Sequence, residues 1–170
     1  MKRLLVLTPF ILGSCASASE PQFNARAASK LPITSIVMEQ FTCFWGTCPH
    51  YVVSINSDGS GTYVGLEVAK KRGSVDLKLS PTAFEEIEAE IRRIKLVRMK
   101  PQYYSEEHGC KEVWSDQSSL TFYVTFGDSQ TKVVSLYYGC TLPGVSDKLS
   151  NLASLVDRVT EVEPLLGRSR

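Results

Sequence analysis

The chain has 170 residues, 43% of them hydrophobic and 22% charged, with 19 basic and 18 acidic side chains. That length suffices for one domain with a substantial core. A net charge of +1 without an extended basic tract excludes nucleic acid as an expected partner, and no apolar run approaches the roughly 20 residues that span a bilayer.

The N-terminus reads as an export signal. Lys2 and Arg3 form a short positive region, residues 4–12 (LLVLTPFIL) are apolar, and the small residues Gly13 and Ser14 precede Cys15. Leu12-Gly13-Ser14-Cys15 resembles the lipobox cut by the lipoprotein signal peptidase. The resemblance implies cleavage before Cys15, a diacylglycerol thioether on its sulfur and acylation of its new amino group. Two or more acyl chains anchor stably where one is marginal. Ala16-Ser17-Ala18 is the competing site, with plain secretion after Ala18. Ala16 is not the Asp that resembles an inner-membrane retention signal, so the expected home is the outer membrane, facing the periplasm. The expected organisation is a signal peptide over 1–14, a lipid-anchored flexible tether over 15–32, one domain over 33–162 and a tail over 163–170.

Residues 33–42 carry Ile36, Val37, Met38 and Phe41 and read as a first strand. Tyr51, Val53 and Ile55 alternate over 50–55. Asp58-Gly59 centres a turn signal, and 62–69 is expected to return with Val64, Leu66 and Val68 on one face. Residues 73–79 predict a further strand. Ser80 and Pro81 then open a helix in which Phe84, Ile87, Ile91 and Ile94 form one stripe. Its acids Glu85, Glu86 and Glu88 precede its bases Arg92, Arg93 and Lys95, as the helix dipole prefers. Leu120, Phe122, Val124 and Phe126 alternate with polar neighbours, residues 127–130 turn the chain, and 132–138 returns it. A last helix over 146–160 is expected to bury Leu149, Leu152, Val156 and Val159. Hairpins interrupted by two helices predict an α+β fold: an antiparallel sheet built from consecutive hairpins, with two helices packed on one face.

With Cys15 assigned to lipid, Cys43, Cys48, Cys110 and Cys140 remain, and an even number in an exported chain favours disulfides. Three pairings are possible. Cys43–Cys48 with Cys110–Cys140 is favoured because each pair brackets one turn or hairpin. Loop-closure entropy assigns about 2 kcal/mol to the short loop and about 4 kcal/mol to the long one.

The densest motif is Cys43-Phe44-Trp45-Gly46-Thr47-Cys48-Pro49-His50-Tyr51. Followed by a strand, an Asp-Gly turn and a Ser-Pro-capped helix, it resembles a bacterial domain family of unknown function with a Cys-Phe-Gly-x-Cys-Pro-x-Tyr signature, often found in lipoproteins and secreted proteins. Phe44, Gly46, Cys48, Pro49 and Tyr51 match, as does a later Ser-Asp pair, Ser115-Asp116; Trp45 is an insertion that widens the cysteine spacing. The resemblance spans residues 33–160 and implies fold and location but no activity.

These residues bear on several chemistries. Thiol-redox catalysis wants Cys-x-x-Cys at a helix N-terminus, whereas here four residues intervene and a strand follows. A structural disulfide is the preferred reading. Cys43, Cys48, His50, His108, Cys110 and Cys140 offer zinc-ligand types, but their spacing matches no familiar finger. No Gly-x-Ser-x-Gly elbow is present, and His50 and His108 are the only histidines. Glu106, Glu107 and Asp116 could supply carboxylates for glycoside chemistry, without a second placed acid or an aromatic sugar platform. Tyr123 and Tyr137, if they face away from the core, form with Trp45 a candidate binding surface that suits a protein or a glycan. The alternative is that helices or loops cover them.

The expectation is a lipid-anchored, non-enzymatic envelope module of binding or inhibitor type. Lipid on Cys15 holds it to the membrane, an envelope protein or glycan is its partner, and no cofactor or metal is called for. The competing expectation is a small exported enzyme or thiol-redox factor using the Cys43/Cys48 loop.

Overall fold

The computed structural model describes residues 23–44 and 46–167. Cys15, the leader before it and Trp45 lie outside the described residues. A short helix α1 (Ala25–Ala28) leads into strands β1 (Ile33–Gln40), β2 (Tyr51–Asn56), β3 (Ser60–Gly65) and β4 (Gly73–Lys78), then helix α2 (Pro81–Arg93). Short strands β5 (Gln102–Tyr103) and β6 (Glu112–Val113) precede the hairpin β7 (Ser119–Phe126) and β8 (Thr131–Tyr137). A short β9 (Cys140–Thr141), helix α3 (Ser146–Val159) and helix α4 (Glu163–Leu166) complete the order. Seven strands form one sheet, β4-β3-β2-β1-β7-β8-β5, in which only β5 runs parallel to its neighbour.

Period-two alternation gives this sheet its two faces. One row across it reads Val75, Tyr63, Val53, Met38, Phe122 and Val134. From Tyr63 to Val134 these side chains are fully or almost fully buried. The neighbouring row, Val64, Val52, Glu39, Thr121 and Ser135, belongs to the other face. Helices α2 and α3 cover the first face. Phe84, Ile87 and Ile91 of α2 and Leu149, Leu152 and Val156 of α3 share one core with Ile36, Met38, Val53, Ile55, Phe122 and Val124. Each such side chain contributes about 1.5–3 kcal/mol by leaving water. Helix α2 starts where Ser80 Oγ accepts from the Ala83 amide at 3.2 Å, with Pro81 in the first turn. It ends before Lys95, whose φ of 58° is left-handed.

Two stretches depart from expectation. Residues 62–69 do not run as one strand. β3 stops at Gly65, its core-facing side chain is Tyr63, and Leu66 and Val68 are each 39% exposed. A Cβ at Gly65 would strike the Lys71 carbonyl and the Tyr63 hydroxyl, the Leu66 amide and the Glu67 carbonyl still bond to His50, and Val68 then turns the chain at φ 61°. The ordered body also begins earlier than 33. Asn24 Oδ1 accepts from the amides of Arg26 and Ala27, Ala28 is fully buried, and Arg92 donates to the carbonyls of Ser29 (3.1 Å) and Leu31 (2.8 Å). The stretch read as tether thus has its last third docked on the core.

The antiparallel register separates two ends. One carries Gln40, Tyr51, Leu120 and Tyr137; the other carries Ile33, Asn56, Phe126 and Thr131.

Candidate functional site

Three irregular segments converge at the first end: the β1–β2 loop, the approach to β7 and the exit from β8. The β1–β2 loop is closed by a disulfide between Cys43 and Cys48, whose Cα atoms are 5.3 Å apart. Inside it, the Gly46 amide donates to the Cys43 carbonyl (2.9 Å) and Thr42 Oγ1 to the Cys48 carbonyl (2.8 Å). The other two segments meet as a ribbon in which Glu112 faces Thr141 and Val113 faces Cys140. Cys110 and Cys140, Cα atoms 5.2 Å apart, staple that ribbon. Backbone bonds tie everything to the sheet end: Phe41 amide to Ser119 carbonyl (2.8 Å), Tyr138 amide to Ser118 carbonyl (3.0 Å) and Trp114 amide to Gly139 carbonyl (2.9 Å). A Cβ on Gly139 would collide with the Trp114 carbonyl and the Tyr137 ring, so this close approach requires glycine.

A cleft of about 320 Å³ opens between the disulfide loop, the sheet end and α3, lined in part by Gln40, Cys48, Pro49, Ser118, Tyr138 and Asp157. Its polar groups are organised. Gln40, 5% exposed, donates from Nε2 to Ser118 Oγ (3.1 Å) and the Ser119 carbonyl (3.2 Å), and its Oε1 accepts from the Tyr138 hydroxyl (3.1 Å). Asp157, also 5% exposed, accepts from the Tyr51 hydroxyl at 2.8 and 2.9 Å through its two oxygens. Tyr63, whose ring lies 6.0 Å from that of Tyr51, has its hydroxyl pKa raised by burial and then by the Asp157 charge. Apolar side chains stand at the same end: Phe44 is 75% exposed, Trp114 63% and Val113 46%.

Tyr123 and Tyr137 do lie on the sheet face away from the helices, and both are half-buried. The Gln117 amide donates to the Tyr137 hydroxyl (3.1 Å). Burial, then the Glu39 carboxylate, then Tyr104 raise the Tyr123 pKa, which places the 104 segment beside it. His50 pairs with Glu39 at 3.1 Å and stacks on Phe41, 5.1 Å between centroids. His108 sits between Ser105 Oγ (2.8 Å, to Nδ1) and Gln102 Nε2 (2.7 Å, to Nε2). Glu106, Glu107 and Asp116 are exposed. The structure thus brings the four cysteines to one end, puts the two tyrosines on the outer face, and leaves the two histidines in separate local networks. Among the described residues no three His, Cys, Asp or Glu side chains gather as metal ligands.

Sequence reasoning passed over Gln40, Asp157 and Val113. Gln40 left a readable signal, since it continues the Ile36–Met38 face in phase and so had to be a buried polar group. Asp157 left none, being next to Val156 on a helix whose apolar stripe accounts for its pattern. Trp114 and Phe44 are exposed because their loops have no second layer above them.

No curated protein matches the chain. A family model described as a domain of unknown function (DUF6438) matches residues 34–160, from the second residue of β1 to the C-cap of α3. The match takes in both disulfides, the cleft and both long helices, and the chain belongs to that family.

Proposed function

We propose that this chain is an exported, lipid-anchored binding module of the cell envelope, tethered through Cys15, whose disulfide-braced end holds the partner surface. The segment from Cys43 to Tyr51 is then the family's signature segment, and its cysteine pair is scaffolding. One observation carries the reading: both disulfides and the exposed Phe44, Val113 and Trp114 occupy the same end of the sheet. Large apolar side chains on covalently closed loops lose little conformational freedom when a partner covers them, which is how an interface gains affinity cheaply in entropy. A protein partner suits the aliphatic Val113 between the aromatics. The thiol-redox alternative is disfavoured because the Cys43–Cys48 loop joins two strands and no helix N-terminus lowers a thiol pKa there.

Mass spectrometry of the protein from isolated membranes tests the anchor: diacylglyceryl on Cys15 and no free thiol are expected, and an unmodified chain starting after Ala18 overturns it. Photocrosslinkers placed at Trp114 and, as control, at Asp76 on the far edge strand test the surface. A discrete adduct from position 114 alone, lost on Phe44→Ala, is expected. The same adducts from both positions, or a glycan in place of a protein, overturn the assignment.

A further inference from the structure

The opposite end of the sheet carries a second concavity, of about 200 Å³. Its floor is apolar, made by Ile33, Ile91, Val97 and Phe126, and its rim is cationic, made by Arg92, Lys95 and Arg98. None of the described residues lining it is acidic. Arg92 is already committed, to Glu88 at 2.6 Å and to the Ser29 and Leu31 carbonyls. Lys95 and Arg98 are exposed, and among the described residues neither side chain meets a carboxylate. The nearby acids are occupied, Asp58 by Ser60 and Asp128 by the Gln130 amide (3.1 Å). The α2 dipole accounts for a cation in the helix's last turn. It does not account for two uncompensated cations beyond the helix, set around an apolar hollow.

We propose that this pocket seats the headgroup of an anionic phospholipid at the bilayer surface. Lys95 and Arg98 meet the phosphate, and the adjoining glycerol and first acyl carbons lie against the half-buried Val97. The proposal rests on the reading that Cys15 carries lipid. Position supports it. Phe23 packs beside Phe126, with centroids 6.1 Å apart, and the chain from Cys15 to Phe23 can reach at most about 28 Å. The tether of an anchor on Cys15 therefore starts beside this pocket and can hold it within about 28 Å of the membrane. Charge selects the occupant. The protein's own acyl chains are neutral and would leave the cations unanswered, whereas each basic residue near an anionic bilayer strengthens association about fivefold. The volume agrees, since an apolar cavity of about 150 Å³ already admits a benzene ring in other proteins.

The test uses the full-length chain with Cys15→Ser, so that no anchor contributes, and follows its amide resonances. The probes are short-chain phosphatidylglycerol and phosphatidylcholine below their micelle concentrations. Saturable shifts at residues 29–33 and 91–98 are expected with phosphatidylglycerol, at about 25-fold higher affinity than with phosphatidylcholine. Lys95→Asn with Arg98→Gln should abolish that preference while the remaining spectrum is unchanged. Asn is chosen because it tolerates the left-handed backbone at 95. Equal response to the two lipids, no response, or a match by inorganic phosphate alone overturns the proposal. An unacylated Cys15 in membrane-derived protein would instead sink the anchor reading and leave this titration interpretable.

Discussion

The two ends of the sheet solve the same problem, fixing the chain where it leaves the strands, by different means. At one end the loop around Cys43 and Cys48 and the segment 111–118 carry mostly exposed or half-buried residues, and disulfides tie them down through the buried Cys43, Cys110 and Cys140. At the other end the connections are tight turns at 57–59 and 127–130, and order comes from the Asn24 cap, the buried Ala28 and the Arg92 bonds. The difference teaches that covalent bracing fastens exposed loops to the body through buried sulfurs, while closure also restricts the unfolded chain. It also leaves the braced end free to display Phe44 and Trp114 without collapsing onto them.

The largest break of this contrast is removal of its crosslinks. Cys110→Ala with Cys140→Ala opens a separation of 30 residues and should cost about 4 kcal/mol by loop entropy. Cys43→Ala with Cys48→Ala opens only 5 and should cost about 2 kcal/mol. Urea unfolding of both double variants reads the order. A larger loss from the short loop would show that it carries packing, not entropy alone. Tyr51→Phe comes next. It removes the hydroxyl that both Asp157 oxygens accept, beneath the cleft, and should cost about 2 kcal/mol because the acceptor is a buried carboxylate. A neutral result would mean that Asp157 is not held by Tyr51. Asn24→Ala, at the unbraced end, should cost about 1 kcal/mol and speed amide exchange over residues 25–31 selectively. Global exchange without that local signature would mean α1 is no separate clasp.

Much of this architecture was legible beforehand, and the reasons are specific. Strand β7 and helices α2 and α3 follow their apolar periods closely, so Phe122, Ile87 and Leu152 went to the core as predicted. Strand β3 returns from the Asp-Gly turn as expected but stops at Gly65, because Val64, Leu66 and Val68 mimic a longer strand face and the backbone turns at Val68. The pairing of β1 with β7, which sets the two ends, is long-range and leaves no local trace. The cationic pocket was hidden for a different reason: in sequence Lys95 continues the run of C-terminal helix bases after Arg92, and nothing local shows that it lies past the helix end with Arg98 beside it. Only the backbone turn at Lys95 and the docking of Ser29 bring them around a common hollow.

The smallest effect contrasts the tether end with the middle of the sheet under alkali. Burial lowers the pKa of Lys132, near the tether end, where Nζ donates to the Met99 carbonyl (2.6 Å) and lies 5.5 Å from the Phe23 centroid. The folded state thus disfavours that charge, and between the folded value and the ordinary 10.5 the unfolded chain binds more protons, so stability rises with pH. Tyr63 and Tyr123 have raised values, so their contribution is intact below the ordinary 10.0 and is lost as pH climbs through the folded values. A melting temperature that first edges up and then falls is expected. Lys132→Met should flatten the rise alone, and Tyr63→Phe with Tyr123→Phe should blunt the fall alone. If Lys132→Met instead alters the fall, the tether end is coupled to the middle of the sheet, and it would have to be redrawn as part of one continuous unit.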